Sequence, residues 1–424
     1  MVNRWLWGLL GLLALALAVS TRAPSFAWAG CVVFGILAVS QLLGHFSLSG
    51  VKASRRCSAD RVPFGGRVWV EVELHNDKLL PALWLAIKEG TPAGLPILGP
   101  RGRVVSLWPR GAARFSYSLV GLRRGYYRIG PASVRSGDVF GLVEKSAALG
   151  ERNYLTVYPR VVPLEHPRLS SRRPLGEVRA RRAFEDPTRI AGVRPYSRED
   201  GLGRIHWKAT AHTGELQSKL YEVTSHLELS LVLNLNQGEY PLDQPMAQEA
   251  AELAITAAAS VAAAAAARRQ SLSLVSNGRD GADRERALLE WELAEKLPAV
   301  RARRRAELPR GRVNRIPASR DKEQLARLLS QLGRLELGPG PSLAQMLVRE
   351  HSRLPWTSLV VVITPAAEGP ALGALLGLRS SGFALTVLLT GEGAEADRSQ
   401  ASLLAERIDA RRVRREEDLR GLGI

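Results

Sequence analysis

The chain reads as α/β and all-β: an N-terminal transmembrane helical hairpin, an immunoglobulin-like β-sandwich and a doubly wound α/β domain. Three observations predict this. Two apolar runs open the chain, a period-two pattern fills residues 51–163, and short apolar runs alternate with helical patterns after residue 227. At 424 residues the chain exceeds one compact core, which divides it at 1–50, 51–163, 164–226 and 227–424.

Trp5 to Ser20 is uninterruptedly apolar, Arg22 and Pro24 break it, and a second apolar run covers Phe26 to Phe46. Each approaches the roughly 20 residues needed to cross a bilayer. Arg4 precedes the first run, Lys52, Arg55 and Arg56 follow the second, and the short loop between carries only Arg22. The positive-inside bias therefore expects a multi-pass protein of the cell membrane with its main body cytoplasmic. The competing reading is a cleaved signal peptide ending at Ala27-Trp28-Ala29, with the second run still an anchor.

From Val51 the pattern alternates, as in RVWVEVELHN and ARFSYSLVGL, with turns at Phe64-Gly65-Gly66, Gly90 to Pro100, Gly121 and Gly137-Asp138. Several short strands at that spacing predict the sandwich. No nucleophile, base and orienting group cluster there in sequence.

Residues 164–189 form a basic, proline-containing connector. Leu227 to Leu235 and Ser271 to Ser276 are strands, separated by an alanine-rich helix over Ala247 to Arg268. Helices follow at Asp321 to Leu332 and Ser342 to Leu354, a strand at Ser358 to Thr364, a helix at Ala371 to Arg379, a strand at Ala384 to Thr390 and a helix at Ser399 to Ile408. That alternation predicts a parallel, doubly wound sheet. Arg301 to Arg320 interrupts it as a basic loop, and an arginine-rich tail after Ala410 ends it.

The formal net charge is +18, mostly arginine, which points to anionic partners: nucleic acid or the lipid bilayer's inner leaflet. No aromatic residues interleave the basic loop for base stacking, so no specific nucleic acid is expected. The two cysteines, Cys31 and Cys57, lack metal or disulfide-framework spacing.

The stretch from Arg189 to Glu222 organises the rest. It mixes both charge signs, His206, His212, Trp207 and several glycines with no clean period. Arg194, Arg204 and Lys208 are expected to pair with Glu199, Asp200, Glu215 or Glu222 across a domain junction, with Trp207 as a buried plug. A second reading takes Asp200, His206 and His212 as a metal-dependent hydrolase's cluster, although His206-x5-His212 does not bring both rings to one helix face.

Arg194-Pro195-Tyr196, Ile205-His206-Trp207-Lys208-Ala209-Thr210-Ala211, Thr213-Gly214-Glu215-Leu216 and Lys219-x-Tyr221-Glu222 resemble the signature of family number 58 of the domains of unknown function. Arg124-Gly125-Tyr126-Tyr127, Gly137-Asp138-Val139-Phe140-Gly141-Leu142 and Val157-Tyr158-Pro159-Arg160 resemble that family's preceding sequence. Glu199-Asp200, Gly203 and His212 depart from the usual motif residues. The resemblance implies a membrane-anchored bacterial protein with a von Willebrand factor A-like domain, no established activity and no cofactor. It also implies partnership with a MoxR-type AAA+ ATPase, in a scaffold or adaptor role. In A-like domains the loop after the first strand carries Asp-x-Ser-x-Ser for magnesium. Here Asn234, Asn236 and Gly238 stand at those places, and neutral amides suit a hard divalent cation poorly.

Overall fold

The computed structural model describes residues 4–90, 92, 94–100, 102–138, 141–165, 185–197, 200–223, 228–241, 243–296, 312–355 and 358–422. Most of the expected connector and the first half of the expected basic loop lie outside these residues. The fold is mixed α/β. Its described residues form two compact units: residues 1–160 with 281–293 and 330–334, and residues 161–280 with 294–329 and 335–424.

The first unit opens with helices α1 (Arg4–Thr21) and α2 (Pro24–Phe46). A Cβ on Gly30 would meet Leu15 Cγ at 2.8 Å, so the glycine is what lets the two helices approach. By length and composition α2 is able to cross a membrane, and α1 is apolar but shorter.

Eleven strands follow: β1 (Val51–Cys57), β2 (Arg61–Val62), β3 (Arg67–Asn76), β4 (Ala82–Lys88), β5 (Ile97–Leu98), β6 (Gly102–Leu107), β7 (Ala112–Val120), β8 (Gly125–Ile129), β9 (Ala132–Gly137), β10 (Glu144–Leu149) and β11 (Asn153–Val157). Antiparallel sheets β1-β3-β7-β5 and β10-β9-β4-β6 sandwich one core, in which Val68, Val70, Val72 and Leu74 of β3 share a cluster with Leu85 and Ile87 of β4. The strict alternation in RVWVEVELHN places every second side chain inward, as the period of a strand requires. A third sheet runs β2-β11-β8.

A buried ion pair crosses the sandwich. Arg55 donates to both oxygens of Glu89 at 3.1 and 2.8 Å and to the carbonyls of Ile129 and Glu151, and Tyr117 donates its hydroxyl to Glu89 at 3.2 Å. Both charged side chains are 2% exposed. Burial first, then the Glu89 carboxylate, push the Tyr117 phenol above the ordinary tyrosine range, which keeps it a donor.

The second unit contains β12 (Glu185–Pro195), α3 (Trp207–Thr213) and β13 (Gln217–Val223), then β14 (Glu228–Leu233), α4 (Gln244–Ala267), β15 (Ser271–Ser276) and β16 (Arg279–Asp280). Helix α5 (Gly281–Lys296) returns to the first unit through residue 293, as do residues 330–334 at the end of α6 (Gln324–Arg334). The second unit also holds β17 (Asn314–Ser319), β18 (Leu335–Glu336), α7 (Leu343–Glu350), β19 (Ser358–Thr364), α8 (Pro370–Ser380), β20 (Ala384–Leu389), α9 (Ala394–Ala405), β21 (Asp409–Arg412) and α10 (Glu416–Arg420). The central sheet runs β17-β15-β14-β19-β20-β21, parallel except for antiparallel β17 at one edge. Val232, Val275, Val360 and Val362 pack with α7, α8 and α9, while α4 lies against β14, β15 and β19. Ala257, Ala258 and Ala259 of α4 are fully buried, and their small side chains are why that helix lies so close to the sheet.

Two expectations need correction, and one helix has no counterpart in the sequence pattern. Residues 314–319 of the expected basic loop are the edge strand β17, where polar side chains are tolerated because one side faces no neighbour. The arginine-rich tail supplies β21 and α10. Helix α5 is charged throughout, which hid it; Arg128 and Arg152 pair with its Glu292 at 3.1 and 2.6 Å.

Replacing Glu89 with alanine strands the Arg55 charge inside the sandwich and is expected to cost about 3–5 kcal/mol. Thermal unfolding of the full chain in detergent checks this, and the paired Arg55→Met/Glu89→Leu replacement is expected to cost less than the single one.

Candidate functional site

Two places gather the residues singled out by sequence. The first is the β12–β13 hairpin of the second unit. Its strands pair antiparallel up to Pro195↔Gln217, and residues 196–216 form the excursion between them. Asp200 is buried there at 7% exposure. Its carboxylate accepts from Arg194 at 2.7 Å and from the Ser197 amide at 3.1 Å, and its carbonyl accepts the Tyr196 hydroxyl at 3.0 Å. The Arg194 side chain is about half exposed, so the ion pair itself adds little. The backbone bonds to Asp200 do more to set the loop's shape.

Ile205 is buried and bridges to Ser218, with the His206 amide donating to the Gln217 carbonyl at 2.8 Å. His206 then caps α3: its Nδ1 accepts from the Ala209 amide at 3.0 Å. Gly214, at φ 74°, ends the helix in the left-handed conformation that glycine adopts without strain. Thr210 Oγ1 accepts from the Gln217 amide at 3.0 Å and ties the helix back to β13.

This geometry overturns Trp207 as a plug. The side chain is 67% exposed. Ile205 takes the inward position beside β13, and the helix that starts at Trp207 turns the indole outward. Lys208, His212, Glu215 and Leu216 are exposed as well. Of the expected lattice of charges, the pair Arg194–Asp200 is present, within the hairpin itself. Arg204 is half-buried in a short 3₁₀ turn. Glu199 and the Glu222 side chain lie outside the described residues. Asp200 is committed to Arg194 and Ser197 and His206 to the helix cap, so they do not converge with His212; among the described residues no three His, Cys, Asp or Glu side chains gather to hold a metal.

The second place is the carboxyl edge of the α/β sheet, where strand order reverses between β14 and β19 and where such folds bind ligands. Asn234, fully buried, donates through Nδ2 to Thr364 Oγ1 at 3.0 Å. Its Oδ1 accepts from Asn277 Nδ2 at 2.8 Å and from the Asn236 amide at 3.2 Å. Asn277 also accepts from the Leu235 amide at 2.6 Å and donates to the Pro341 carbonyl at 2.8 Å. The Thr364 hydroxyl donates to the Ala366 carbonyl at 2.8 Å, and Tyr240 donates to the Asn234 carbonyl at 2.8 Å. Asn236 accepts from the Gly238 amide at 3.4 Å. The donors and acceptors at this edge are neutral and turned on one another. Glu239, the nearby carboxylate, accepts from the Leu343 amide at 3.0–3.1 Å at the N-terminus of α7, where an anion is favoured. Sequence reasoning singled out Asn234 but missed Asn277, although it directly follows the β15 strand.

No known family profile matches the chain. It is 27% identical over 198 residues to the uncharacterized protein YeaD of Bacillus subtilis, a stretch covering 46% of this chain and 50% of that one. The chain thus spans about half the length of that curated relative. Among solved structures, a quarter of the chain is similar to the CARDB domain of a Pyrococcus furiosus protein (20% identity, 26% of this chain, 94% of that one, TM-score 0.19). It is also similar to the cupredoxin domain of amoB from Nitrosocaldus yellowstonii (16% identity, 26% and 87%, TM-score 0.20).

Asn277→Ala orphans the Leu235 amide and one bond of Asn234, each lost partner costing about 1–3 kcal/mol. The expected result is a lower urea midpoint for the second unit, with Thr364→Val less damaging because it removes one hydroxyl.

Proposed function

We propose that this is a membrane-anchored, non-enzymatic scaffold or adaptor whose β12–β13 hairpin docks a protein partner. The carrying observation is Trp207, presented outward from a short helix that is capped at both ends and tied to β13. Binding hot spots favour such aromatic anchors on rigid supports, with charged neighbours at the rim; here Lys208 and Glu215 hold those places. Helix α2, long and apolar enough to cross a membrane, supports the anchor, and the arginine and lysine distribution supports a cytoplasmic body.

The finer reading takes the second unit as von Willebrand factor A-like. Its sheet order, with a single antiparallel edge strand, is compatible with that, and the Asn234–Asn277–Thr364 network then stands where a metal loop is usual. On the same resemblance the partner is a MoxR-type AAA+ ATPase, and the process is assembly or maturation of protein complexes. The hydrolase alternative draws no support from the positions of Asp200, His206 and His212.

The test is binding of the full chain in detergent to the host's MoxR-type ATPase, with and without ATP. Trp207→Ala is expected to weaken it by about 2 kcal/mol, roughly 30-fold in Kd. His206→Ala, which uncaps α3, is expected to weaken it less. Equal binding by wild type and Trp207→Ala, or none by either, makes the hairpin a structural belt.

A further inference from the structure

The sandwich exposes apolar side chains at several places, Trp69 and Val104 among them, and at one place three come together. Leu79 (75% exposed), Leu80 (41%) and Trp108 (78%) occupy the β3–β4 and β6–β7 loops, which are neighbours. Fully buried Asn76 holds them together: its Nδ2 donates to the Leu80 carbonyl at 3.0 Å and the Trp108 carbonyl at 3.1 Å, and its amide donates to Gly111 at 3.0 Å. Single exposed apolar residues need no explanation, but three gathered by one buried asparagine do.

Their place in the unit supplies it. Asn76 pairs with Val51, a few residues past the end of α2. Lys78, from the same loop, donates its ammonium to the α2-terminal carbonyls of Phe46 and Ser47. On the sandwich's other sheet, Lys145 donates to the His45 carbonyl at 3.0 Å. Between β9 and β10, Val143 fills the space beside Gly44, where a Cβ would come within 2.5 Å of it. Leu142 and Val143 also line one cleft with Ser40 and Gln41 of α2 and Trp5 of α1. Ser40 lies six residues before Phe46, which puts that contact roughly 9 Å along the helix from its end. This end of the sandwich therefore gathers at the C-terminal end of α2, where Lys78, Arg110, Lys145, Trp108 and Trp5 lie. Tryptophan with basic side chains is the composition of a membrane–water interface.

We propose that this end of the sandwich is a lipid-facing surface: Leu79, Leu80 and Trp108 insert into the interfacial layer of the bilayer that α2 spans. The proposal rests on the membrane-anchored reading above and adds a fixed seat for the sandwich on the bilayer, so that β3 stands away from it. The turn holding Phe64 precedes β3 at its other end, and ten strand residues put it about 30 Å farther from the lipid.

The test uses the full chain, one copy per lipid nanodisc, with Cys31→Ala and Cys57→Ala removing the native thiols. An environment-sensitive fluorophore is placed in turn at Leu79→Cys, Trp108→Cys, Phe64→Cys and Val32→Cys, the last in the middle of α2. Lipids carry a doxyl quencher near the headgroup or deep in the chain. The expected result is loss of fluorescence at 79 and 108 with the shallow quencher, at 32 with the deep one, and none at 64. Quenching at 32 without quenching at 79 and 108 overturns the seat and leaves the anchor standing. A blue shift at 79 and 108 without quenching means protein covers that edge, which also overturns it. Quenching at 64 overturns the orientation, and no quenching at 32 overturns the anchor itself.

Discussion

Asn234 lies at the point where the α/β sheet reverses its strand order, fully buried, and every polar atom placed there must find its partner within the protein. An unpaired amide in that position costs about as much as a substantial share of a domain's stability. The carboxamide answers with three bonds, to Thr364, Asn277 and the Asn236 amide. Those bonds join β14 to β15 and β19 at the carboxyl edge, and Asn277 extends the join to Pro341, just before α7. A carboxylate at residue 234 would lose the donor to Thr364. The local sequence is therefore self-consistent as a closed, neutral edge.

The β12–β13 hairpin follows the same rule. Asp200 is buried only because Arg194, Ser197 and Tyr196 surround it, and α3 is stable at seven residues only because His206, Thr210 and Gly214 secure its ends. The proposed docking role rests on these local constraints around an exposed indole. Rigid presentation of an aromatic side chain lowers the entropy lost on binding, which is why such a support suits a docking element.

Two helices have the composition of a membrane span, and their surroundings separate them. Most of α4 is buried, its alanines against β14, β15 and β19 and its Ser260 accepting from the Val162 amide at 3.0 Å. Most of α2 is exposed apolar surface, and Lys78 and Lys145 meet it at its C-terminal end. Packed on α1 and otherwise little covered, α2 keeps the apolar surface of a helix able to cross a membrane, whereas α4 is a core helix.

By itself the sequence determined the mixed α/β class, the apolar opening pair, the sandwich strands and the buried parallel strands. Ser271–Ser276 and Ser358–Thr364 coincide with β15 and β19, because a strand covered on both faces must be apolar along its length. Strands β17 and β21 and helix α5 were illegible for the opposite reason. They sit at sheet edges or are held by ion pairs such as Arg152–Glu292, so their composition looks like that of a loop. The tertiary structure alone decided the directions of Trp207 and Ile205 and brought Asn277 to Asn234. Which of two nearby apolar side chains turns inward, and which amides meet across three strands, depends on pairings between distant segments that no local pattern records.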